Sequence, residues 1–268
     1  MTDDDTSLLA AYDTQLRGVP PVRAAGTRYE EDGPLVRIVG QFRGFVSAPR
    51  DVGLRGAELD ALIIRQREYF AARGEAVEWK IRGHDLPAEL PQRLRAAGFV
   101  AEDRETVLVG RADELAEPAA GRALADGVTI RQTAAAEDLR GVGAMLTEVW
   151  GTDMHWLGAD LAGRIEAAPD QIAVLVAESG GEIVSAAWLV HRPGTQFAGL
   201  WGGSTLAAHR GRGIYHALVA ARARLAADRG VRYLQVDASD DSAPILRRLG
   251  FRAITTTTPY IWTPADTP

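Results

Sequence analysis

The segment His209–Tyr215, which reads His-Arg-Gly-Arg-Gly-Ile-Tyr, decides how the second half of this 268-residue chain folds. It connects an apolar run, Phe197–Leu206, to a helical pattern over Ile214–Arg229, so a strand should turn directly into a helix here. The first turn of a helix offers backbone N–H groups at its positive end. Gly211 and Gly213 place no Cβ in that space, and the adjoining arginines can form charge-assisted bonds to phosphate oxygens. The segment therefore predicts an anion site that suits a pyrophosphate.

The spacing of this segment excludes two common phosphate loops. It lacks the Gly-Lys-Ser/Thr of a Walker loop, and it lacks the G-x-G-x-x-G spacing of a dinucleotide fingerprint. A short Gly/Arg loop is weak evidence by itself, because glycine-rich turns between strands and helices are common. The kind of phosphate site must therefore be inferred from the residues on both sides of the loop.

With its neighbours, the segment resembles the GCN5-related N-acetyltransferase (GNAT) superfamily, whose signature is Arg/Gln-x-x-Gly-x-Gly/Ala between the fourth strand and the third helix. The resemblance runs from Val128 to Trp262 and includes the strand Leu200–Thr205 and the closing segment Ser242–Phe251. It implies an α/β (α+β) fold with a mixed, mostly antiparallel sheet and flanking helices. We expect a smaller, degenerate GNAT-like half to precede it.

The resemblance also implies how acetyl-CoA is held as a co-substrate. The backbone of Gly203–Thr205 should pair with the pantetheine arm, and the amides of Gly211–Tyr215 should hold the pyrophosphate. A backbone N–H near Ser204 or Thr205 is then the expected oxyanion donor. The predicted cofactor-binding residues are Gly203, Ser204, Thr205, Arg210, Gly211, Arg212, Gly213, Ile214 and Tyr215, and we predict no metal.

Two positions depart from the family pattern. Tyr215 occupies the final Gly/Ala position of the signature, where its ring either crowds the phosphate or turns aside. Leu246 replaces the tyrosine that often protonates the departing thiolate in this family. A thiol with a pKa of about 8.5 is a tolerable leaving group without a dedicated acid, so this loss weakens the mechanism without excluding it.

The general base is less well defined, because no carboxylate lies on the fourth strand near Trp201–Thr205. Glu148, Asp153 and His155 lie between the first two helices of the second half, a region that usually lines the acceptor pocket in GNAT proteins. Each of them is individually more often a solvated or capping residue than a base. The predicted catalytic residues are Ser204, Thr205, Glu148 and His155.

Tryptophans near the same region could form a wall for an apolar or cationic acceptor. We predict that Trp156 and Trp201 bind substrate, whereas Trp188, inside an apolar run, belongs to the core.

Composition limits the other functions open to the chain. The absence of cysteine excludes a thiol nucleophile and thiolate metal ligation, and the net charge of −6 without a Lys/Arg tract gives no support for a nucleic-acid partner. No apolar run is long enough to span a bilayer, and the acidic start Met1–Asp5 has no signal-peptide pattern. We therefore expect a cytoplasmic protein with a small-molecule amine acceptor and no nucleic-acid or membrane partner, and we leave a homodimer open.

The chain length favours two domains, which we predict as 1–120, a degenerate GNAT-like half, and 121–268, the catalytic half. Trp79–Phe99 and Val236–Phe251 share the order strand, acidic turn, helix and Gly-Phe, which indicates a duplication, although ordinary helix C-caps would give the same local pattern. The first half has a proline in Ser47–Gly53 where N–H donors would be needed, so it should not bind CoA well.

Three functions follow from these patterns. The leading hypothesis is an N-acetyltransferase that moves acetyl from acetyl-CoA directly to a primary amine in a ternary complex. The alternatives are a non-catalytic acyl-CoA-binding module and a tandem GNAT synthase resembling mycothiol synthase.

Overall fold

The computed structural model describes residues 3–23, 26–40, 42–117, 124 and 126–265. Its helices are α1 (Asp3–Leu16), α2 (Gly56–Ala71), α3 (Leu90–Ala96), α4 (Ala112–Ala116), α5 (Ala136–Trp150), α6 (Trp156–Ala167), α7 (Ile214–Asp228) and α8 (Ala243–Arg248). Its strands are β1 (Arg28–Asp32), β2 (Leu35–Val39), β3 (Gly44–Ser47), β4 (Val77–Arg82), β5 (Val100–Ala101), β6 (Glu105–Arg111), β7 (Val128–Thr133), β8 (Ile172–Ser179), β9 (Glu182–His191), β10 (Phe197–Thr205), β11 (Tyr233–Ala238) and β12 (Arg252–Trp262). Within the described ranges, every helix is too short or too polar to cross a bilayer.

The chain forms two compact units that are discontinuous in sequence. Unit 1 contains Met1–Leu108, Asp237–Pro244 and Arg252–Pro268, and unit 2 contains Val109–Val236 and Ile245–Phe251. The boundary that we predicted between residues 120 and 121 falls outside the described residues. The units differ from the predicted domains at the C-terminus, because β12 pairs with β4 and β5 of unit 1.

In unit 1, neighbouring strands follow the order β1-β2-β3-β4-β12. The pair β3 and β4 is parallel, and α2 connects the two strands, whereas the other pairs in this series are antiparallel. Large apolar side chains of α2 and the sheet, among them Phe70 and Trp79, are fully buried together. This sheet and its helices have a core of their own, as expected for a compact unit.

In unit 2, neighbouring strands follow the order β11-β10-β9-β8-β7. β8 and β9 form a hairpin through Gly180 and Gly181, both of which have positive φ angles of the kind that a two-residue turn requires. The apolar faces of α5 and α6 pack on β8 and β9 around Trp188, which confirms the prediction that Trp188 is a core residue.

The two units repeat one local pattern. β10 and β11 are parallel and connected by α7, just as β3 and β4 are connected by α2. Each of the two Gly-Phe pairs follows a helix, with Gly98 and Gly250 at positive φ and with Phe99 and Phe251 buried. The amide of Phe99 donates to the carbonyl of Leu94, and the amide of Phe251 donates to the carbonyl of Leu246 in the same way.

The predicted fold class is confirmed, since the sheet is mixed and mostly antiparallel with flanking helices. The apolar run 35–46 looks like a single strand in the sequence but is not one, because the chain leaves β2 at Gly40, where φ is +97°, and returns antiparallel as β3. A side chain at Gly40 would lie 2.4 Å from the carbonyl oxygen of Gly26, so the turn requires a glycine.

Candidate active site

The centre of the candidate site is the last part of β10. Its parallel pairing with β11 ends at Gly199 and Gln235, whereas its antiparallel pairing with β9 continues to Thr205. The β9 pairing contains a bulge, because Gly202 and Ser204 oppose consecutive residues of β9 and leave Gly203 as the extra residue. Beyond Gly199, the edge of β10 that faces β11 is therefore no longer paired with β11. An extended ligand could pair with the backbone of β10 along this edge.

Both glycines at the bulge are held in conformations that favour glycine, with φ of +68° at Gly202 and +89° at Gly203. Each also lies against an aromatic ring. A Cβ on Gly202 would stand 2.6 Å from the Trp188 ring, and a Cβ on Gly203 would stand 2.8 Å from the Tyr215 ring. The ring of Tyr215 is therefore turned towards the bulge, which settles the alternative that the sequence left open.

The predicted strand-to-helix turn follows β10 with one addition. A single 3-10 turn, Ala207–His209, precedes the glycine loop, and α7 then begins after Gly213, whose φ is +79°. Gly213, the N-cap residue of α7, has no side chain to cap the helix. A Cβ added to Gly211 would have no heavy atom within 4 Å. The turn therefore combines open space with N–H donors at a positive helix end, which fits an anionic group such as a pyrophosphate.

The two arginines of the loop make contacts within the protein. Nε of Arg210 donates to the carbonyl oxygen of Thr205 at 3.1 Å. Nη1 of Arg212 lies 3.0 Å from Nδ1 of His209. These contacts hold the loop against the end of β10, and they place both positive charges beside the helix N-terminus.

The predicted catalytic pair Ser204 and Thr205 lies in a hydrogen-bond network. Oγ of Ser185, a buried residue of β9, donates to the carbonyl oxygen of Ser204 at 2.7 Å and lies 2.9 Å from Oγ1 of Thr205. Nε1 of Trp150 donates to Oγ of Ser204 at 3.2 Å. The end of α5 is therefore attached to the end of β10, and the backbone around Ser204 is fixed on two sides.

The predicted bases differ in their surroundings. Nδ1 of His155 lies 2.8 Å from Oδ1 of Asp153, and the amide of His155 donates to the same oxygen at 2.9 Å. The backbone N–H and the imidazole of His155 hold the pKa of Asp153 below its usual range. With Nδ1 directed at a carboxylate, Nε2 of a neutral His155 carries the lone pair that a base needs. Glu148 is an exposed residue of α5.

Three tryptophans in this region are partly exposed: Trp150, Trp156 and Trp201 have 63%, 39% and 47% exposure. Trp201 opposes Trp188 in the register of β10 and β9, and residues paired in this way project from the same face of a sheet. Since Trp188 packs against α5 and α6, Trp201 lies on the face that these helices cover.

Leu246, which replaces the family's tyrosine, is fully buried. Sequence reasoning missed two other residues close to β10. Ser185 carries no motif that would have marked it. Arg222 is buried in α7, and the apolar positions Ile214 and Leu218 one and two turns before it could have marked it as facing the sheet.

The corresponding turn of unit 1 is arranged differently. Between β3 and α2, Oδ1 of Asp51 accepts hydrogen bonds from the amide of Gly53 at 2.9 Å and from Arg55 at 3.1 Å. The bond from Arg55 lowers the pKa of Asp51 and favours its charged form. The turn before α2 therefore contains a carboxylate of the chain, whereas the turn before α7 contains two arginines.

Comparison with known proteins agrees with this geometry. The model of the acetyltransferase (GNAT) family matches residues 130–251, a range that contains β10, the glycine loop and α7, and this family generally uses acetyl-CoA. No curated protein matches the chain in sequence.

Solved structures extend the likeness to both halves. A GCN5-related N-acetyltransferase from Kribbella flavida is 21% identical with a TM-score of 0.66, and the match covers 98% of this chain and 95% of that one. A GCN5-related N-acetyltransferase from Sphaerobacter thermophilus is 20% identical with a TM-score of 0.59, covering 89% and 84%. A tandem GNAT protein from the clavulanic acid biosynthesis pathway is 17% identical with a TM-score of 0.58, covering 100% and 97%. The first half of this chain is therefore GNAT-like in fold, residues 130–251 form a GNAT-family acetyltransferase domain, and the chain is an acyltransferase.

Proposed function

We propose that the chain transfers an acetyl group from acetyl-CoA to a primary amine of a small molecule, by direct attack of the amine in a ternary complex. The observation that carries the proposal is the bulge of β10, which leads through one short turn into an uncapped helix N-terminus. The first feature suits an extended thioester arm and the second suits its pyrophosphate.

The residues that would hold acetyl-CoA follow from this geometry. Backbone amides of Gly211–Tyr215 bind the pyrophosphate, with Arg210 and Arg212 supplying positive charge. The backbone of Gly203–Thr205 binds the pantetheine arm, and an N–H near Ser204 or Thr205 meets the charge that develops on the thioester oxygen. The thioester supplies an activated acyl group with a thiol as the leaving group.

The transfer itself requires a base and an exit for one proton. The amine nitrogen forms the new bond to the acyl carbon, the C–S bond breaks, and the amine loses a proton. We assign that proton to Nε2 of His155, directly or through water, because the contact of Nδ1 with Asp153 orients the ring. Since Leu246 offers no proton, the thiolate takes its proton from solvent.

We further propose that the acceptor carries an apolar or aromatic part beside its amine. Trp150, Trp156 and Trp201 expose indole rings in the part of unit 2 where α5, α6 and the end of β10 lie. Such rings bind apolar groups and cations at small cost in conformational entropy.

The test is acetyl-CoA-dependent release of free thiol, measured with a panel of primary amines that differ in their apolar part. Saturable turnover that requires an amine supports the proposal. His155→Gln should lower kcat/KM by about 10²-fold or more, as loss of a general base does. Glu166→Gln, at an exposed position of α6, is the matched control and should leave the rate within about twofold.

Leu246 is buried, and no side chain at that position can donate a proton to the departing thiolate. Firm acetyl-CoA binding without thiol release for any amine would contradict the proposal. The likeness to a tandem GNAT protein also makes a two-domain synthase a candidate function. The amine panel should therefore include large polar amines.

A further inference from the structure

Arg222 is a charged residue in a position where α7 otherwise buries apolar side chains. It follows Ile214 and Leu218 at spacings of eight and four residues, which places the three side chains on one face of the helix. Arg222 is only 2% exposed. A buried guanidinium at such a position needs partners from the sheet beneath the helix.

Those partners are backbone carbonyls at the bulge. Nη1 of Arg222 donates to the carbonyl oxygen of Trp201 at 3.1 Å and lies 3.4 Å from that of Trp188. These two tryptophans oppose each other in the register of β10 and β9, immediately before the bulge. Nε of Arg222 donates to the carbonyl oxygen of Leu218 at 3.0 Å, which fixes the side chain within its own helix.

The charge of Arg222 is not balanced by an ion pair in the described part of the chain. Burial lowers the pKa of Arg222 to about 10, and Tyr215 acts in the opposite direction. Buried charges without an opposite charge cost stability, and replacing them with apolar side chains is often neutral or stabilising. Residues that lower stability in this way concentrate at functional sites.

Arg222 and Tyr215 contact the same short part of β10 from α7. The ring of Tyr215 lies against Gly203, and the guanidinium of Arg222 binds the carbonyl of Trp201, two residues earlier. Together they hold both sides of the bulge against the helix whose N-terminus forms the phosphate turn. The helix therefore couples the position of the bulge to the position of that turn.

We propose that Arg222 is a positioning residue for acetyl transfer: by holding the Trp201 carbonyl it fixes the bulge, and so directs the N–H groups of Gly203–Thr205 at the thioester carbonyl. This inference rests on the proposed function. Arg222 itself need not touch acetyl-CoA, because it acts through the backbone of β10.

The test compares Arg222→Leu and Arg222→Lys with Arg224→Leu, an exposed arginine of the same helix, as the matched control. The readout is the infrared carbonyl stretch of bound acetyl-CoA labelled with ¹³C at the acetyl carbonyl. In the wild-type protein, N–H donors should polarise the carbonyl and lower this stretch from its value in water. Arg222→Leu should still fold and bind acetyl-CoA, yet return the stretch towards the value in water.

Turnover with any amine that the wild type acetylates gives a second readout. A misplaced bulge should lower kcat by about 10²-fold while KM for acetyl-CoA changes much less. Arg222→Lys, which keeps the charge but loses the planar fork, should fall between the wild type and Arg222→Leu in both readouts. Arg224→Leu should match the wild type.

Three outcomes would overturn the inference. The first is a carbonyl stretch in the wild-type protein equal to the stretch in water. The second is an Arg222→Leu variant whose carbonyl stretch and kcat both equal those of the wild type. The third applies if Arg222→Leu does not fold: an Arg222→Lys variant whose carbonyl stretch and kcat both equal those of the wild type would then show that Arg222 has no positioning role. Failure of the wild type to bind acetyl-CoA would instead overturn the proposed function, and with it this inference.

Discussion

The ring of Tyr215 fills the space that a side chain at position 203 would need, since a Cβ on Gly203 would stand 2.8 Å from Cε2 of Tyr215. This contact explains how α7 accommodates a tyrosine in a position where the family signature has glycine or alanine. The ring packs on the bulge of β10, and burial raises the pKa of its hydroxyl. Gly203 and Tyr215 therefore depend on each other, which makes the pair open to test.

We predict that Gly203→Ala destabilises unit 2 more than Gly181→Ala does. Both glycines have similar φ angles, +89° and +86°, but a Cβ on Gly181 would have no heavy atom within 4 Å. Each alanine costs about 1–3 kcal/mol for its backbone conformation, and Gly203→Ala should cost about 1–3 kcal/mol more for the displaced ring. Urea unfolding curves give the comparison, and equal losses for the two variants would show that the ring contact is unimportant.

Trp201→Ala should raise KM for the amine and leave acetyl-CoA binding within about twofold. Loss of an aromatic wall removes apolar contact worth roughly 1–3 kcal/mol, or about 5- to 150-fold in KM. Initial rates at saturating acetyl-CoA measure the first quantity, and titration with acetyl-CoA measures the second. If KM for the amine stays constant and acetyl-CoA binding weakens instead, Trp201 does not line the acceptor site.

The stability of the folded protein at low pH should depend on the ionised carboxylate of Asp138. Arg131 forms two hydrogen bonds to this carboxylate, at 2.6 and 2.9 Å, and Thr133 donates a third. The bond from Arg131, with that from Thr133, lowers the pKa of Asp138 to about 2. Because this folded pKa lies below the unfolded value of about 3.9, the stabilisation is complete above that value and is lost as the pH falls towards 2.

Asp138→Asn should therefore lower the melting temperature at pH 7 and flatten its decline between about pH 4 and pH 2. Asp160→Asn is the control, since Asp160 makes a longer contact of 3.6 Å with Arg164 on the same surface of α6. Melting curves at several pH values give the measurement. Parallel declines for the wild type and Asp138→Asn would refute the role of this pair.

Unit 1 should not add a second acetyl-CoA site, because Asp51 places a negative charge in the turn that precedes α2. We predict a stoichiometry of one acetyl-CoA per chain in a calorimetric titration. Gly53→Ala should leave both stoichiometry and affinity unchanged. A second equivalent of acetyl-CoA bound by the wild type would show that unit 1 binds the ligand after all.

Local chemistry made several features predictable from the sequence. The glycines at 180 and 181 fixed the hairpin, and the apolar run around Trp188 marked that residue as buried. The glycine loop was predictable because its function depends on backbone conformation, which glycine at 211 and 213 reveals directly. Only the short 3-10 turn before it was missed.

Features that depend on distant parts of the chain were not predictable in this way. The pairing of β12 with β4 joins residues far apart in sequence, and the sequence of residues 252–262 does not indicate which strand they pair with. The direction of the Tyr215 ring depends on a bulge in another element. Arg222 was overlooked because arginine is usually solvated, although its helical spacing from Leu218 placed it towards the sheet.

The central claim, that an anion binds at the turn between β10 and α7, is tested most directly by calorimetric titration of the full chain with acetyl-CoA in Gly211→Asn and Gly211→Asp. Both side chains tolerate the φ of +74° at this position and have open space, so the variants differ only in charge. We predict micromolar binding by the wild type, modest weakening by Gly211→Asn, and a further loss of at least about tenfold in Gly211→Asp, because its carboxylate repels the pyrophosphate. Equal affinities in the two variants, or no binding by the wild type, would contradict the assignment of this turn.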